Sequence, residues 1–392
     1  MTENLEALKA VVREELDEAA EDLTQISKKI FDNPELKFEE HRAMEWLTEE
    51  LEARGFAVER GAGGLDTAFI ARCPNNGGDG PTVAFLSEYD ALPALGHACG
   101  HNLIATIGLG AGLGLCSVMD KLDGQLMVIG TPAEEGGGGK IDLINAGIFD
   151  DVDVAMMIHP SDRTLVGRGS LGVQEIKFDF YGESSHASSQ PEEGINALDA
   201  VIATFNNINA LREHIKESSR IHGIITDGGE KPNIVPDHAS AYFYVRAAKP
   251  EDLEKLLEKV KNCAEAGALA TGAELEIKEE GHGYQPMQPN LVLAELVKEN
   301  FEALGEEVED YEGGMGSTDM GDVSQKIPAV HSYIRITDED TPGHSKAFAK
   351  AANSEKGYSA MLTAAKTLAM VGVDVLGDED NYRKIMESFQ EG

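Results

Sequence analysis

The sequence predicts an α/β domain into whose chain a second, α+β domain is inserted, and three observations predict it. Short apolar runs at 82–86, 126–130 and 152–158 are separated by helical patterns, as strands covered on both faces of a sheet are. Around Leu171 the rhythm changes to strand, helix, strand, strand, helix, strand, which is the ferredoxin-like order. Beyond Gly283 the first rhythm returns. A chain of 392 residues has room for two or three units of ~150 residues. The boundaries expected are 1–171 with 284–392 for the outer domain and 172–283 for the insertion.

From 5 to 31 apolar residues recur at helical spacing, and Asn33-Pro34 ends the helix because proline supplies no donor and restricts its predecessor. A second amphipathic helix is expected over 41–54, closed by Gly55. Strands follow at 68–72 and 82–86. The uncharged stretch 103–119 approaches the ~18 residues of a membrane-spanning helix. Its glycines at alternate positions from Gly108 to Gly114 predict instead a helix buried closely against a sheet. Strands at 126–130 and 152–158 complete this half. The insertion reads as strands at 173–181, 222–226, 239–247 and 273–280, with helices at 196–215 and 251–267. The remainder reads as a helix at 291–304, a glycine-rich loop at 313–321, a strand at 329–336, the turn Thr341-Pro-Gly-His-Ser345 and a last helix at 353–370. No internal repeat is visible.

The charge balance narrows the partners. Lys and Arg number 33 against 70 for Asp and Glu, a formal charge of −37, which argues against nucleic acid phosphates and against acidic membrane surfaces. So large an excess of acid is compatible with a salty cytoplasm. Cys73, Cys99, Cys116 and Cys263 are irregularly spaced in a chain too large to need staples, and they read as free thiols of a reducing compartment. The segment Met-Thr-Glu-Asn-Leu-Glu has no basic region followed by an apolar one, so a cytoplasmic location without a secretory signal is expected.

The chemistry concentrates where the apolar strands end. After the strand at 82–86 comes 88–102, Glu-Tyr-Asp-Ala-Leu-Pro-Ala-Leu-Gly-His-Ala-Cys-Gly-His-Asn, which carries Asp90, His97, Cys99 and His101. A thiol and an imidazole two residues apart suit a borderline cation such as zinc, and they equally suit a buried Cys beside a capping His. After 126–130 come Glu134 and Glu135. Adjacent acids at a helix start favour the helix dipole, but in a metal site one can bind the ion while the other serves as general base. After 152–158 comes His159, and His344 lies in the Pro-Gly-His-Ser turn. Open α/β sheets bind ligands at the carboxyl ends of their strands, so independent segments deliver one thiol, three imidazoles and one or two carboxylates to one edge. A pair of metals ~3.5 to 4 Å apart would use that set to polarise a carbonyl and acidify water.

The motifs Asp90-Ala-Leu-Pro93, Gly96-His-Ala-Cys-Gly-His101, Pro132-Ala-Glu-Glu-Gly136, Ser184-Ser-His-Ala187 and Pro342-Gly-His-Ser345, in this order, resemble the aminoacylase and carboxypeptidase family of metallopeptidases. More narrowly they are similar to its amidohydrolase branch, which includes hippurate, indoleacetyl-amino-acid and p-aminobenzoyl-glutamate hydrolases. The resemblance spans nearly the whole chain. It implies a two-metal, aminopeptidase-like catalytic domain with an inserted dimerisation domain, and therefore a homodimer. It further implies Cys99, His101, Glu135, His159 and His344 as ligands of two divalent ions, zinc or manganese, with Cys99 bridging. Glu134 would be the general base, and Asp90 would orient the site from behind. His186 would reach the substrate carbonyl, and Asn233 and Arg246 would hold the substrate and its carboxylate.

Three departures bear on the substrate. Glu88 stands where many members of the wider family place a metal-binding His, and Asn102 stands where the indoleacetyl hydrolases have Asp. The segments at 222–225, 231–233 and 316–321 look closer to the aminobenzoyl-glutamate and dipeptidase-like members. The expected activity is metal-dependent hydrolysis of the amide bond of small N-acyl amino acids, aminobenzoyl-glutamate-like compounds or dipeptides. Two other readings stay open on the residues alone: a cysteine-dependent amidase using Cys99, and a non-catalytic binding protein that keeps the fold.

Overall fold

The computed structural model describes residues 2–75, 78–310 and 316–391. The chain divides into two compact units. The outer unit comprises the described residues of 1–169, 287–310 and 322–391; the inserted unit comprises 170–286 and 316–321. The inserted unit thus takes in 316–321, which the sequence reading assigned to the outer domain. The reason is local: Leu171 N–H donates to Gly316 O at 2.9 Å, and Arg246 Nη1 donates to Ser317 Oγ at 2.7 Å. The rest of the expected glycine-rich loop, 313–315, lies outside the described residues.

The outer unit opens with helices α1 (Thr2–Glu18), α2 (Ala20–Asp32) and α3 (His41–Ala53). Strands β1 (Ala57–Arg60), β2 (Phe69–Arg72) and β3 (Thr82–Ser87) follow, then α4 (His101–Cys116), β4 (Gln125–Gly130), α5 (Gly139–Asn145) and β5 (Val154–Ser161). The inserted unit contributes β6 (Gly172–Tyr181), α6 (Ala197–Leu211), β7 (Arg220–Asp227), β8 (His238–Ala247), α7 (Pro250–Thr271) and β9 (Glu274–Tyr284). The chain ends with α8 (Leu291–Ala303), α9 (Met320–Lys326), β10 (Ala329–Arg335), α10 (Lys346–Ala352), α11 (Glu355–Gly377) and α12 (Glu379–Glu391).

The outer sheet is mixed, in the order β1-β2-β4-β3-β5-β10. Its β4, β3, β5 and β10 run parallel, and β1 and β2 add antiparallel pairings at one edge. Helix α4 is buried along its entire length. The alternate glycines make this possible: a Cβ at Gly108 would sit 2.2 Å from Ser87 Oγ, and one at Gly112 would sit 2.3 Å from Val128 Cγ2. Among the described residues only α11 is long and apolar enough to cross a membrane, and most of its apolar stretch is buried in the fold. The insertion is an antiparallel sheet in the order β7-β8-β6-β9 with α6 and α7 packed on it, the ferredoxin-like order.

The reading of four free thiols is corrected. Cys73, just after β2, and Cys116, the last residue of α4, form a disulfide with Cα atoms 5.9 Å apart; Cys99 and Cys263 are free. Strand β2 pairs with β4, on which α4 lies, so the fold brings together cysteines 43 residues apart in sequence. The thiol argument for a reducing compartment therefore no longer covers this pair.

Candidate metal centre

Every metal-ligand candidate lies at the carboxyl ends of the parallel strands. Strand β3 ends at Ser87 and leads through Glu88 and Asp90 to Cys99, while His101 is the first residue of α4. Between them Gly100 has φ 83°, and a Cβ there would lie 2.4 Å from Pro160 Cγ, so only glycine can join these two ligands in this turn. Strand β4 leads to Glu134 and Glu135. His159 lies near the carboxyl end of β5, opposite Tyr333 of β10, rather than beyond the strand as its sequence position suggested. His344 has φ 55°, and its N–H donates to Ala98 O at 2.9 Å, which ties the last loop to the cysteine turn.

Donor atoms of Cys99, His101 and His159 lie within 4.8 Å of one another; so do those of Cys99, Glu135 and His344, and those of His101, Glu134 and Glu135. Cys99 belongs to the first two groups. A thiol shared between two trios is one layout that can serve two neighbouring ions. The ring orientations agree. His101 Nδ1–H donates to Asp90 Oδ1 at 2.9 Å, and His159 Nδ1–H donates to Pro160 O at 2.6 Å, so each leaves Nε2 for a ligand. His101 Nε2 is buried without a hydrogen-bond partner, and no donor is aligned on buried Glu135 Oε1, although His344 Nε2 is 3.2 Å away. Thiolate, imidazole and carboxylate atoms left open in this way fit a pair of borderline divalent cations.

The electrostatics favour the ligating thiolate, and the anions beside the imidazoles raise them. Burial lowers His101 and His159, but Asp90 and Cys99 outweigh it at His101, Cys99 does so at His159, and Cys99 and Glu135 raise His344. These rings therefore give up a proton when they bind a cation. Burial pushes the Cys99 thiol up, but His159, whose Nε2 is 3.5 Å from Sγ, and His101 outweigh it and bring the thiol down to about 6. Burial also raises the Asp90 carboxyl, yet His101 and the Glu135 N–H, which donates to Asp90 Oδ2 at 2.9 Å, hold it below its ordinary value. Asp90 thus fixes both a ligand ring and the backbone beside the candidate base.

Two motif residues have other tasks. His97 is held near 4, first by burial, and its Nε2–H donates to Ile30 O at 3.1 Å; it supports the loop. Asn102 Nδ2 donates to Ser27 Oγ at 3.0 Å and Ala352 O at 3.1 Å, which anchors the start of α4. Glu88 receives the partner its sequence position did not suggest: Lys140, the second residue of α5, pairs with it, and both side chains are fully buried. The other Glu88 oxygen, Oε2, lies 3.7 Å from His101 Nε2.

Sequence reasoning also missed His331 and Tyr333, alternate residues of β10 that line the ligand row. The His331 ring lies 5.6 Å from His159 and 4.9 Å from Tyr333, and burial holds it neutral. An imidazole and a phenol at period-two spacing in an apolar strand were the available signal.

The remaining candidates, His186, Asn233 and Arg246, belong to the inserted unit. His186 bridges to Ile234, and Ala187 N–H donates to Asn233 O at 3.1 Å, so two exposed residues 47 positions apart become neighbours. The half-buried Arg246 guanidinium lies 5.7 Å over the Tyr244 ring, and its Nε–H is buried without an acceptor.

Residues 84–367 match the model of Peptidase family M20/M25/M40. The Mus musculus Xaa-Arg dipeptidase is 43% identical over 388 residues, which cover 95% of this chain and 90% of that protein. A p-aminobenzoyl-glutamate hydrolase polypeptide of Escherichia coli (strain K12) is 29% identical over 444 residues, covering 94% and 92%. Among solved structures, a Bacillus subtilis protein described as a dinuclear metal binding peptidase of the M20 family superposes with a TM-score of 0.73 at 22% identity. That match covers 92% of this chain and 99% of the other.

Proposed function

Because the chain belongs to Peptidase family M20/M25/M40, we propose that it is a two-metal hydrolase that cleaves the amide bond of a dipeptide or a small N-acyl amino acid. The observation that carries this reading is Cys99 shared between two donor trios, with Glu134 in the adjoining donor group. Cys99, His101 and His159 would hold one ion, and Cys99, Glu135 and His344 the other. Zinc or manganese suits this mixture of thiolate, imidazole and carboxylate. When bound, the two ions acidify water and polarise the scissile carbonyl.

The chain's own groups divide the rest. A Glu134 carboxylate oxygen takes the proton from the attacking water and passes it to the leaving nitrogen. His186 donates to the carbonyl oxygen as charge develops there. Asn233 positions the amide, and the planar fork of Arg246, with its unaccepted Nε–H, binds the free carboxylate through two hydrogen bonds. The likeness to an Xaa-Arg dipeptidase over nearly the whole chain favours a dipeptide with a basic C-terminal residue over an aminobenzoyl-glutamate.

A homodimer built on the inserted unit fits this reading. Strand β7 is a sheet edge, and it exposes Ile224 and Ile225, which a second copy would cover by edge-to-edge pairing. The deciding experiment couples metal analysis of the purified protein to an amine-release screen over Xaa-Arg dipeptides, N-acyl amino acids and p-aminobenzoyl-glutamate. Two ions per chain with release that stops on chelation and returns with Mn²⁺ or Zn²⁺ is the result expected. Release that survives chelation and stops on thiol alkylation would move the chemistry to Cys99 itself.

A further inference from the structure

The turn that carries Glu134 and Glu135 is held at both ends by buried carboxylates. Asp90 holds the far end through the Glu135 N–H. The near end is held from a segment that precedes the family match by more than forty residues. Glu40, fully buried, accepts the Ala133 N–H on Oε1 at 2.9 Å and the Thr67 hydroxyl on Oε2 at 2.8 Å. Thr67 is fixed in turn, because its carbonyl accepts the Tyr89 hydroxyl at 2.6 Å.

Ala133 needs such a hold. It has φ 61°, in the left-handed region that an alanine leaves unless its surroundings over-determine it. Its carbonyl accepts the N–H groups of Gly137 and Gly138 at 3.0 and 2.8 Å, so Ala133 closes the loop that contains both acids. The same N-terminal segment adds two further contacts. Lys37 Nζ donates to Gly136 O at 3.1 Å, and Phe38, itself at φ 63°, lies where a Cβ on Gly137 would come within 2.9 Å of its ring.

We propose that Glu40 is a positioning residue for the catalytic turn: by accepting the Ala133 N–H it sets the backbone from which Glu134 and Glu135 project. The inference rests on the reading of Glu134 as base and Glu135 as ligand. What the turn requires from Glu40 is an acceptor of the right length, and the negative charge is incidental. Glutamine supplies that acceptor and can donate its amide to the Thr67 oxygen. Methionine fills the space and supplies none.

The test compares Glu40→Gln with Glu40→Met by two readings: kcat and KM for amide hydrolysis, and calorimetric titration of Mn²⁺ into chelator-stripped protein. Outer-shell supports of a metal site contribute ~10 to 100-fold to affinity or activity. Glu40→Met should therefore lose ~10-fold or more in kcat with KM nearly unchanged, and ~10-fold in Mn²⁺ affinity, while Glu40→Gln keeps both within a small factor. A Met variant that matches the parent in both readings, or a Gln variant as impaired as Met, overturns the proposal. Should the Met variant not fold, Glu40→Asp decides by the same readings, since its shorter side chain cannot reach Thr67 and Ala133 together. A Glu134→Gln control separates the two ideas. If that control keeps its turnover the base assignment fails, and the Mn²⁺ titration still judges Glu40 through Glu135.

Discussion

In the outer unit Glu40, Glu88, Asp90 and Glu135 gather around one strand-end loop cluster, and Lys140 answers Glu88; even so, Glu88 Oε2, Glu135 Oε1 and His101 Nε2 are left buried without hydrogen-bond partners. In the inserted unit buried Asp179 is surrounded by in-chain cations, with Lys177 at 3.1 Å, His238 at 3.1 Å and Lys278 at 3.6 Å. Burying an acid is costly in either place. Asp179 Oδ2 also lacks an aligned hydrogen-bond donor, but two lysines and a histidine of its own sheet face Asp179. The outer cluster's acids are faced instead by Lys140 and by imidazoles that can ligate a cation. A buried anionic cluster short of its own cations is what a metal centre looks like before the metal is counted. The inserted unit has the reverse shortage at Arg246, a half-buried cation whose Nε–H has no acceptor. On the function proposed, cations would answer the first shortage and a substrate carboxylate the second.

The largest effect expected comes from removing the one acid assigned to proton transfer. Glu134→Gln keeps an oxygen for hydrogen bonding but cannot take a proton, and general base catalysis contributes ~10² to 10⁴-fold. Turnover should fall by that order while metal content stays at the parental level. Undiminished turnover would show that the outer unit's acids only bind.

Chelation breaks the comparison next. If the outer unit relies on external cations, stripping them should loosen that unit alone. Ions present at ~1,000 times their dissociation constant stabilise by about 4 kcal/mol. Hydrogen exchange should therefore quicken in α4 and β5 on metal removal and stay unchanged in β6 and β8. Equal loosening of both units would sink the assignment of the cation shortage to the outer one.

Much of this site was legible before any coordinates. Apolar runs whose strand character was plain marked one sheet edge as the place for Cys99, His101, Glu135, His159 and His344, and the resemblance of their motifs to a metallopeptidase family is what named them as ligands. The supports were not legible. Glu40 meets Ala133 across 93 residues and Lys140 meets Glu88 across 52, and no local pattern encodes such pairs. The Cys73–Cys116 disulfide escaped for a related reason, since spacing does not specify connectivity and here the pairing depends on how α4 lies over β4. His331 was hidden by its surroundings, because a histidine in an apolar strand reads as strand.

The opposite treatment of acids should also appear as opposite pH slopes. Burial first, and Asp90 second, raise the Glu40 carboxyl to about 7 from an ordinary 4.5. A raised folded pKa means stability that is complete below about 4.5 and is lost as pH climbs through about 7, by roughly 3 kcal/mol at most. Asp179 runs the other way. Burial raises it, but Lys177 and His238 outweigh burial and hold it below its ordinary 3.8, so its contribution is present above that value and is lost on acidification. Denaturation across pH should find the neutral-range slope removed by Glu40→Gln, and the acid-side loss reduced by Asp179→Asn. Persistence of the neutral-range slope in Glu40→Gln would mean that another group carries it.

The smallest effect expected is at Arg246, and it tests the second shortage directly. Lysine keeps the charge but has no planar fork, so Arg246→Lys loses a bidentate grip on a carboxylate while leaving the metal centre intact. KM for a dipeptide with a free carboxylate should rise ~10-fold with kcat little changed, which corresponds to uniform binding lost from ground state and transition state alike. The matching control is the same dipeptide with its carboxylate converted to an amide. The parent should already bind that compound weakly, and Arg246→Lys should weaken it no further, because the group that Arg246 answers has been removed. A variant that loses as much on the amide as on the acid would mean that Arg246 supports the strand through Tyr244 and Ser317 rather than reading the substrate.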